Sequence, residues 1–156
     1  MAPIDRTRAT LNTLAGSCLC GEVRFAVYGP FPKLYQCHCS LCRKQGGSVS
    51  NTGLIVAAGK FRWISGEDRI GQWQRSSGFR SHFCQVCGST APNMLRDTGF
   101  VWVPSGLLDG DGPLEIALQL YVGSKPSWDV VPSGGRHYES APDMDELIEL
   151  LHSRNM

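Results

Sequence analysis

Seven cysteines fall into three clusters and nowhere else in the 156-residue chain: Cys18-Leu19-Cys20, Cys37-His38-Cys39-Ser40-Leu41-Cys42 and Cys84-Gln85-Val86-Cys87. Thiols bunched this closely are soft-metal ligands, and sulfur-rich tetrahedral sets are the chemistry of zinc. A closed structural zinc takes four protein ligands, so seven thiols divide into four and three. The flanking pairs, Cys18/Cys20 and Cys84/Cys87, are distant in sequence, and joining them through one ion staples a non-local topology and adds folding free energy. These four are assigned to a structural zinc. Cys37, Cys39 and Cys42 are local enough to share a second zinc without outside help, which leaves one tetrahedral position for water or substrate. A fourth side chain, with His82 and His137 as candidates, would close that position and make the second ion structural too. His38, flanked by two ligands, is expected to point away from the metal, into packing or a supporting hydrogen bond. A redox reading of Cys84/Cys87 lacks the helix N-terminus or βαβ pattern that activates such a dithiol.

The rest of the composition narrows the setting for these sites. A formal net charge of +1 leaves no electrostatic footprint for nucleic acid or an acidic membrane surface. No apolar run approaches the roughly 20 residues of a bilayer span, and the first 15 residues lack the apolar block of a signal peptide. A cytoplasmic setting is expected, where thiols stay reduced and available for metal. An odd count of cysteines also strands one thiol in any complete disulfide framework. Hydrophobic content of 42% and 19% charged residues suit one ordinary globular domain, while 18 glycines and 9 prolines indicate many turns and short strands.

The elements that must position the thiols are mostly strands. Residues 1–15 have no apolar periodicity and are expected to form a flexible leader to a single zinc-binding β domain over 16–156. Glycines flank Cys18-Leu19-Cys20, which reads as a tight metal knuckle, and Gly88 permits the same turn after Cys87. Val23, Phe25 and Val27 alternate with Glu22, Arg24 and Ala26 as a half-buried strand. Leu34-Tyr35-Gln36 delivers the chain to Cys37, and Arg43 to Gly47 reads as one helical turn closed by glycine. Further strands are expected at Leu54-Ile55-Val56, Phe61-Ile64, Ile70-Trp73, Arg80-Phe83, Phe100-Val103 and Ile116-Val122. Residues 123–138 read as a long loop, a length that favours function. Met144, Leu147, Ile148 and Leu151 recur at helical spacing, which predicts an amphipathic helix over 142–153 with Ser140 as its N-cap.

In order, Gly16-Ser17-Cys18-Leu19-Cys20-Gly21-Glu22-Val23-Arg24-Phe25, Cys37-His38-Cys39-Ser40-Leu41-Cys42-Arg43-Lys44, Phe83-Cys84-Gln85-Val86-Cys87-Gly88-Ser89, Gly106-Leu107-Leu108-Asp109 and Ser124-Lys125-Pro126-Ser127-Trp128 resemble the glutathione-dependent formaldehyde-activating enzyme family, a broad group that includes centromere protein V. The resemblance spans Gly16 to Pro142. It implies a mainly β fold, a β-tent of small antiparallel sheets around two zinc ions, with the four-cysteine site structural and the three-cysteine site able to take the thiol of glutathione. The chain departs from relatives that carry aromatics near Val49, Ser50 and Gly53 and a histidine in place of Gln119.

On this resemblance the expected activity is that of a carbon-sulfur lyase, which joins glutathione to formaldehyde as S-(hydroxymethyl)glutathione. Cys37, Cys39 and Cys42 are then the catalytic metal ligands and not nucleophiles. Arg43, Lys44 and Lys125 are candidates to pair with the two carboxylates of the tripeptide, and Trp128 to wall its pocket. Thiols add to formaldehyde readily without a catalyst, so a thiol or aldehyde carrier is a rival reading. Others are an enzyme for another small thiol or electrophile, and a zinc-stabilised binding module.

Overall fold

The computed structural model describes residues 12–154. Its sheets are built from β1 (Thr13–Ser17), β2 (Arg24–Tyr28), β3 (Leu34–Cys37), β4 (Asn51–Ala57), β5 (Phe61–Ser65), β6 (Ile70–Gln74), β7 (Arg80–Cys84), β8 (Asn93–Met94), β9 (Phe100–Pro104), β10 (Ile116–Leu120) and β11 (Arg136–His137). Two α-helices accompany them among the described residues, α1 (Ser40–Gly46) and α2 (Met144–His152). The strands form a three-stranded sheet β1-β2-β5, a six-stranded sheet β11-β10-β3-β4-β9-β8 and a ribbon β6-β7. The fold is mainly β, as the turn-rich composition implied.

The alternation along β4 and β9 explains how the layers stack. Leu54 and Val56 on β4, with Val101 and Val103 on β9, face Phe25 and Val27 of the small sheet in one buried cluster. Ile55 and Trp102 point the other way, into a second cluster with Leu118, Leu120 and the α2 residues Leu147 and Leu151. The six-stranded sheet is thus covered on both faces, which is why Leu54-Ile55-Val56 reads as a continuous apolar run and not an alternating one. Each such side chain contributes about 1.5–3 kcal/mol when fully withdrawn from water. Gly53 sits where a Cβ would run into the Trp102 ring, so no side chain fits there unless that ring shifts.

Four expectations need correction. The main sheet is mixed and not purely antiparallel: β10 runs parallel to both β3 and β11. No hairpin constrains β3 and β10, because almost the whole β body lies between them in sequence, so either direction was open. Thr13–Ala15, at the end of the expected leader, belong to β1, paired antiparallel with β2; residues 1–11 of that leader lie outside the described residues. The loop over 123–138 contains β11, whose Gly135 (φ 78°) packs against the β10 backbone with a Cβ position 2.6 Å from Ala117 O. Finally, α2 is capped by Asp143, whose side chain accepts from Glu146 N at 2.9 Å, and not by Ser140. The Ser140 carbonyl is already engaged by Tyr121 N at 2.7 Å, and Pro142 stands between it and the helix.

The C-terminal helix is tied to the sheet by more than its apolar stripe. His152 Nε2 donates to Ile55 O at 2.8 Å, and Lys33 N donates to Leu151 O at 2.9 Å, immediately before β3 carries the chain to Cys37. The described residues contain no helix long and apolar enough to cross a membrane.

Candidate metal centres

The chain brings the seven thiols together in two groups, Cys18/Cys20/Cys84/Cys87 and Cys37/Cys39/Cys42, with the sulfurs of each group within 4.8 Å of one another. In the first group Cys18 and Cys20 follow β1, Cys84 ends β7 and Cys87 lies in the turn after it. Cys18 N donates to Val23 O and Gly21 N to Cys18 O, both at 3.0 Å, and Gly21 takes φ 79°, which only glycine adopts without strain. Gly88 does the same on the other knuckle at φ 78°, with its N–H on Cys84 O at 2.8 Å. Leu19 N donates to Ser89 Oγ at 3.0 Å and links the two knuckles. Gly16 has a different role from the turn-making one its position suggested: it lies in β1, and its missing Cβ leaves room for the Phe25 ring.

The sulfur spacing suits a tetrahedral ion. Cys18 Sγ to Cys20 Sγ is 3.5 Å and Cys20 Sγ to Cys84 Sγ is 3.8 Å. A zinc with sulfur ligands at about 2.3 Å has tetrahedral edges of roughly 3.8 Å. Val23 N also donates to Cys18 Sγ at 3.3 Å, the kind of backbone contact that stabilises a thiolate. Cys87 is held down to about 5 by the hydroxyl and amide of Ser89. A backbone hydrogen bond at Glu22 favours the Cys20 thiolate, but desolvation and proton sharing with Cys18, Cys87 and Cys84 push Cys20 up to about 12.

The second group is built on one strand end and one helix start. Cys37 closes β3, Cys39 is the N-cap of α1 and accepts from Cys42 N at 3.4 Å, and Cys42 lies one turn on. Gly47 ends this helix in the left-handed region at φ 60°, with its N–H on Arg43 O. Thiol hydrogen bonds from Cys37 and Cys42, aided by the amides of Cys42 and Leu41, hold Cys39 down to about 2 against burial. Sharing a proton with Cys39 pushes Cys37 up to about 11, and Cys42 is raised by the same two neighbours. One thiolate accepting from two thiols is a donor set ready to exchange its protons for a cation. Among the described residues no fourth ligand joins these three sulfurs. His137 Nε2 is engaged with Gly134 O at 3.3 Å, and His82, on β7, belongs to neither group.

His38 turns away from both neighbouring sulfurs, as its position implied. Its ring is 1% exposed, with Nδ1 2.8 Å from Asp129 Oδ2 and Nε2 2.7 Å from Gln119 Oε1. Gln119 Nε2 donates onward to Gln36 Oε1 at 2.8 Å, and Gln36 Nε2 to Thr52 Oγ1 at 3.2 Å. This chain of polar side chains, running under the three-cysteine knuckle, is the part that sequence reasoning missed. The available signal was Gln119 itself, a polar residue inside the apolar run of β10.

The four expected substrate residues do not behave alike. Arg43 Nε donates to His38 O at 3.2 Å and its Nη2 to Ser124 O at 3.3 Å, which clamps the long loop onto the knuckle. Lys125 Nζ donates to Asp129 O at 3.0 Å inside that loop. Lys44 and Trp128 are exposed, and with Arg43, Ser40 and Val49 they line a cleft of about 420 Å³ that no cysteine borders. A cavity of about 170 Å³ on another side of α1 does reach the cluster, through Cys42.

The sequence profile described as the glutathione-dependent formaldehyde-activating enzyme matches residues 13–124. A protein of Halomonas elongata that carries the same description as a provisional name is 27% identical over 155 residues, covering 90% of this chain and 95% of that protein. A crystal structure of a Rhodobacter sphaeroides protein superposes with a TM-score of 0.51 at 23% identity, covering 64% of this chain and 91% of the other, a likeness of fold. With its cysteine clusters in the two groups described, the chain belongs to the glutathione-dependent formaldehyde-activating enzyme family.

Proposed function

We propose that the protein is a zinc-dependent carbon-sulfur lyase of the cytoplasm that works in the joining direction, adding glutathione or a related small thiol to formaldehyde at Cys37, Cys39 and Cys42. The observation that carries this reading is a three-sulfur cluster with no fourth protein ligand among the described residues and with Cys42 on a cavity wall. Cys18, Cys20, Cys84 and Cys87 hold a second, structural zinc within one β-tent domain that includes β1. Bound at the three-cysteine cluster, zinc supplies a cation that keeps an added sulfur in its thiolate form at neutral pH. The thiol's sulfur bonds to the formaldehyde carbon, the carbonyl electron pair moves onto oxygen, and the thiol's proton ends there.

The chain's own residues set the geometry for that addition. His38, fixed at both ring nitrogens, holds the peptide between Cys37 and Cys39 and keeps their sulfurs on the opposite side. Arg43 and Lys125 organise the loop over the knuckle, and their remaining N–H groups, with Lys44 and Trp128 beside them, are offered to a thiol's carboxylates and body.

A carrier without turnover is the second reading, and a specific observation favours it. Apart from Cys42, the ionisable side chains lining the Cys42 cavity are Arg80, Arg96 and Tyr35. Burial, together with the charges of Cys42 and Cys37, raises Tyr35 far above the ordinary tyrosine value, so it is not poised to move protons near neutrality. Zinc content, glutathione affinity and formaldehyde-glutathione exchange by NMR, measured on wild type and Cys42→Ser, separate the readings. Two zincs falling to one with loss of thiol binding support the open site. Binding without faster exchange favours the carrier, and two zincs with no glutathione binding refutes glutathione as the thiol.

A further inference from the structure

The cavity at Cys42 differs in character from the cleft beside Trp128. Much of its wall is apolar, from Trp102, Met94, Leu95 and Met144, the amides of Gln45 and Asn51 share it, and two arginines, Arg80 and Arg96, line it as well. Neither arginine has an ion-pair partner among the described residues, where the salt bridges are His38–Asp129 and Arg69–Asp68. Among the described residues Arg96 is one of two non-glycine residues with positive φ, at 50°, a conformation uncommon for a long side chain and often retained where function requires it. Asn93, also on the wall, has a buried Oδ1 without a hydrogen-bond partner. No aspartate or glutamate lines the cavity.

Size and charge together select a ligand. At about 170 Å³ the cavity falls below the roughly 300–1,000 Å³ of sites that enclose drug-sized molecules, so it holds a fragment and not a whole tripeptide. Two unpaired guanidiniums beside apolar walls attract a carboxylate on a short hydrocarbon body. A γ-glutamyl group brings an ammonium as well, and the lining has no acid to receive it.

Resting on the thiol reading of the three-cysteine cluster, we infer that the cavity bordered by Cys42, Arg80 and Arg96 selects a compact thiol with a single carboxylate and no ammonium, in preference to glutathione. The sulfur lies at the Cys42 end and the carboxylate at the arginines. Arg80 and Arg96 are the specificity residues of this arrangement.

The test uses full-length protein loaded with cobalt(II), whose sulfur-to-metal charge-transfer band reports an added thiolate, together with calorimetry on the zinc form. The probes are 3-mercaptopropionate, its neutral amide and glutathione. In wild type the carboxylate binds about tenfold or more tightly than the amide, and more tightly than glutathione. Combining Arg80→Gln with Arg96→Asn, chosen because asparagine tolerates the left-handed backbone, brings carboxylate and amide to parity without changing metal content. Equal binding of carboxylate and amide by wild type, or an unchanged preference in the double variant, overturns the inference; a glutathione-induced band in the same experiment shows the parent reading still standing. If no thiol, glutathione included, alters the band of fully loaded protein, the parent reading fails and the inference with it.

Discussion

Replacing His38 with alanine tests whether the buried polar chain supports the three-cysteine knuckle. The ring is 1% exposed and Asp129 6%, and the substitution leaves both the Asp129 carboxylate and Gln119 Oε1 without their partner. An orphaned buried polar group costs about 1–3 kcal/mol, more where it is charged, and here two are orphaned together. The expected loss for His38→Ala is therefore about 3–5 kcal/mol, or on the order of 10 °C in Tm for a domain of this size. Urea unfolding of the zinc-loaded and chelated forms measures it. Asp129→Ala removes the same contact from the other side, so the double variant should lose less than the sum of the singles, with a coupling of about 1–3 kcal/mol. A loss below about 1 kcal/mol for His38→Ala, or additivity within about 0.5 kcal/mol, would refute the claim that this pair anchors the knuckle.

Packing and electrostatics elsewhere in the fold set three further outcomes. Leu151→Ala opens the cluster that holds α2 against Ile55, Trp102 and Leu118, and should cost about 2–5 kcal/mol in denaturant unfolding, whereas substitution of exposed Glu149 should change little. Titrating zinc into metal-free Cys18→Ser/Cys84→Ser protein in weak buffer near neutral pH should release about two protons per ion from the three-cysteine cluster, because Cys37 and Cys42 are raised and Cys39 is already lowered; uptake without proton release would contradict the shared-proton arrangement. Burial, and then the charge of Arg80, lower the His82 pKa, so the unfolded chain binds this proton more readily than the folded one. His82 should thus make stability fall as pH drops through the window below the ordinary histidine value, with the dependence weakened in His82→Gln.

The grouping of the seven thiols into four and three was legible in the sequence, because the clusters are marked by spacing and a closed zinc takes four ligands. The sequence carried most strands too, since Val23, Phe25 and Val27 declare their buried face by alternation. What it could not carry were relations between distant segments. The parallel pairing of β3 with β10 is fixed by layers above and below the sheet, not by either strand. His38 finds Asp129 across 91 residues and Gln119 across 81, and nothing in the local spacing announces either contact. Arg43 and Lys125 look like free cations in sequence, yet each donates to loop backbone. The arginines beside Cys42 come from β7 and from a turn after β8, and only the fold makes them neighbours.

On the reading proposed above, one metal site is closed by four sulfurs and the other is left open by three. Sulfur coordination at the zinc absorption edge of the fully loaded chain tests this most directly. An average sulfur number midway between three and four is expected, rising to four when a small thiol is added and unchanged by a thiol-free analogue. An average of four before any thiol is added, or one that no thiol alters, would contradict it.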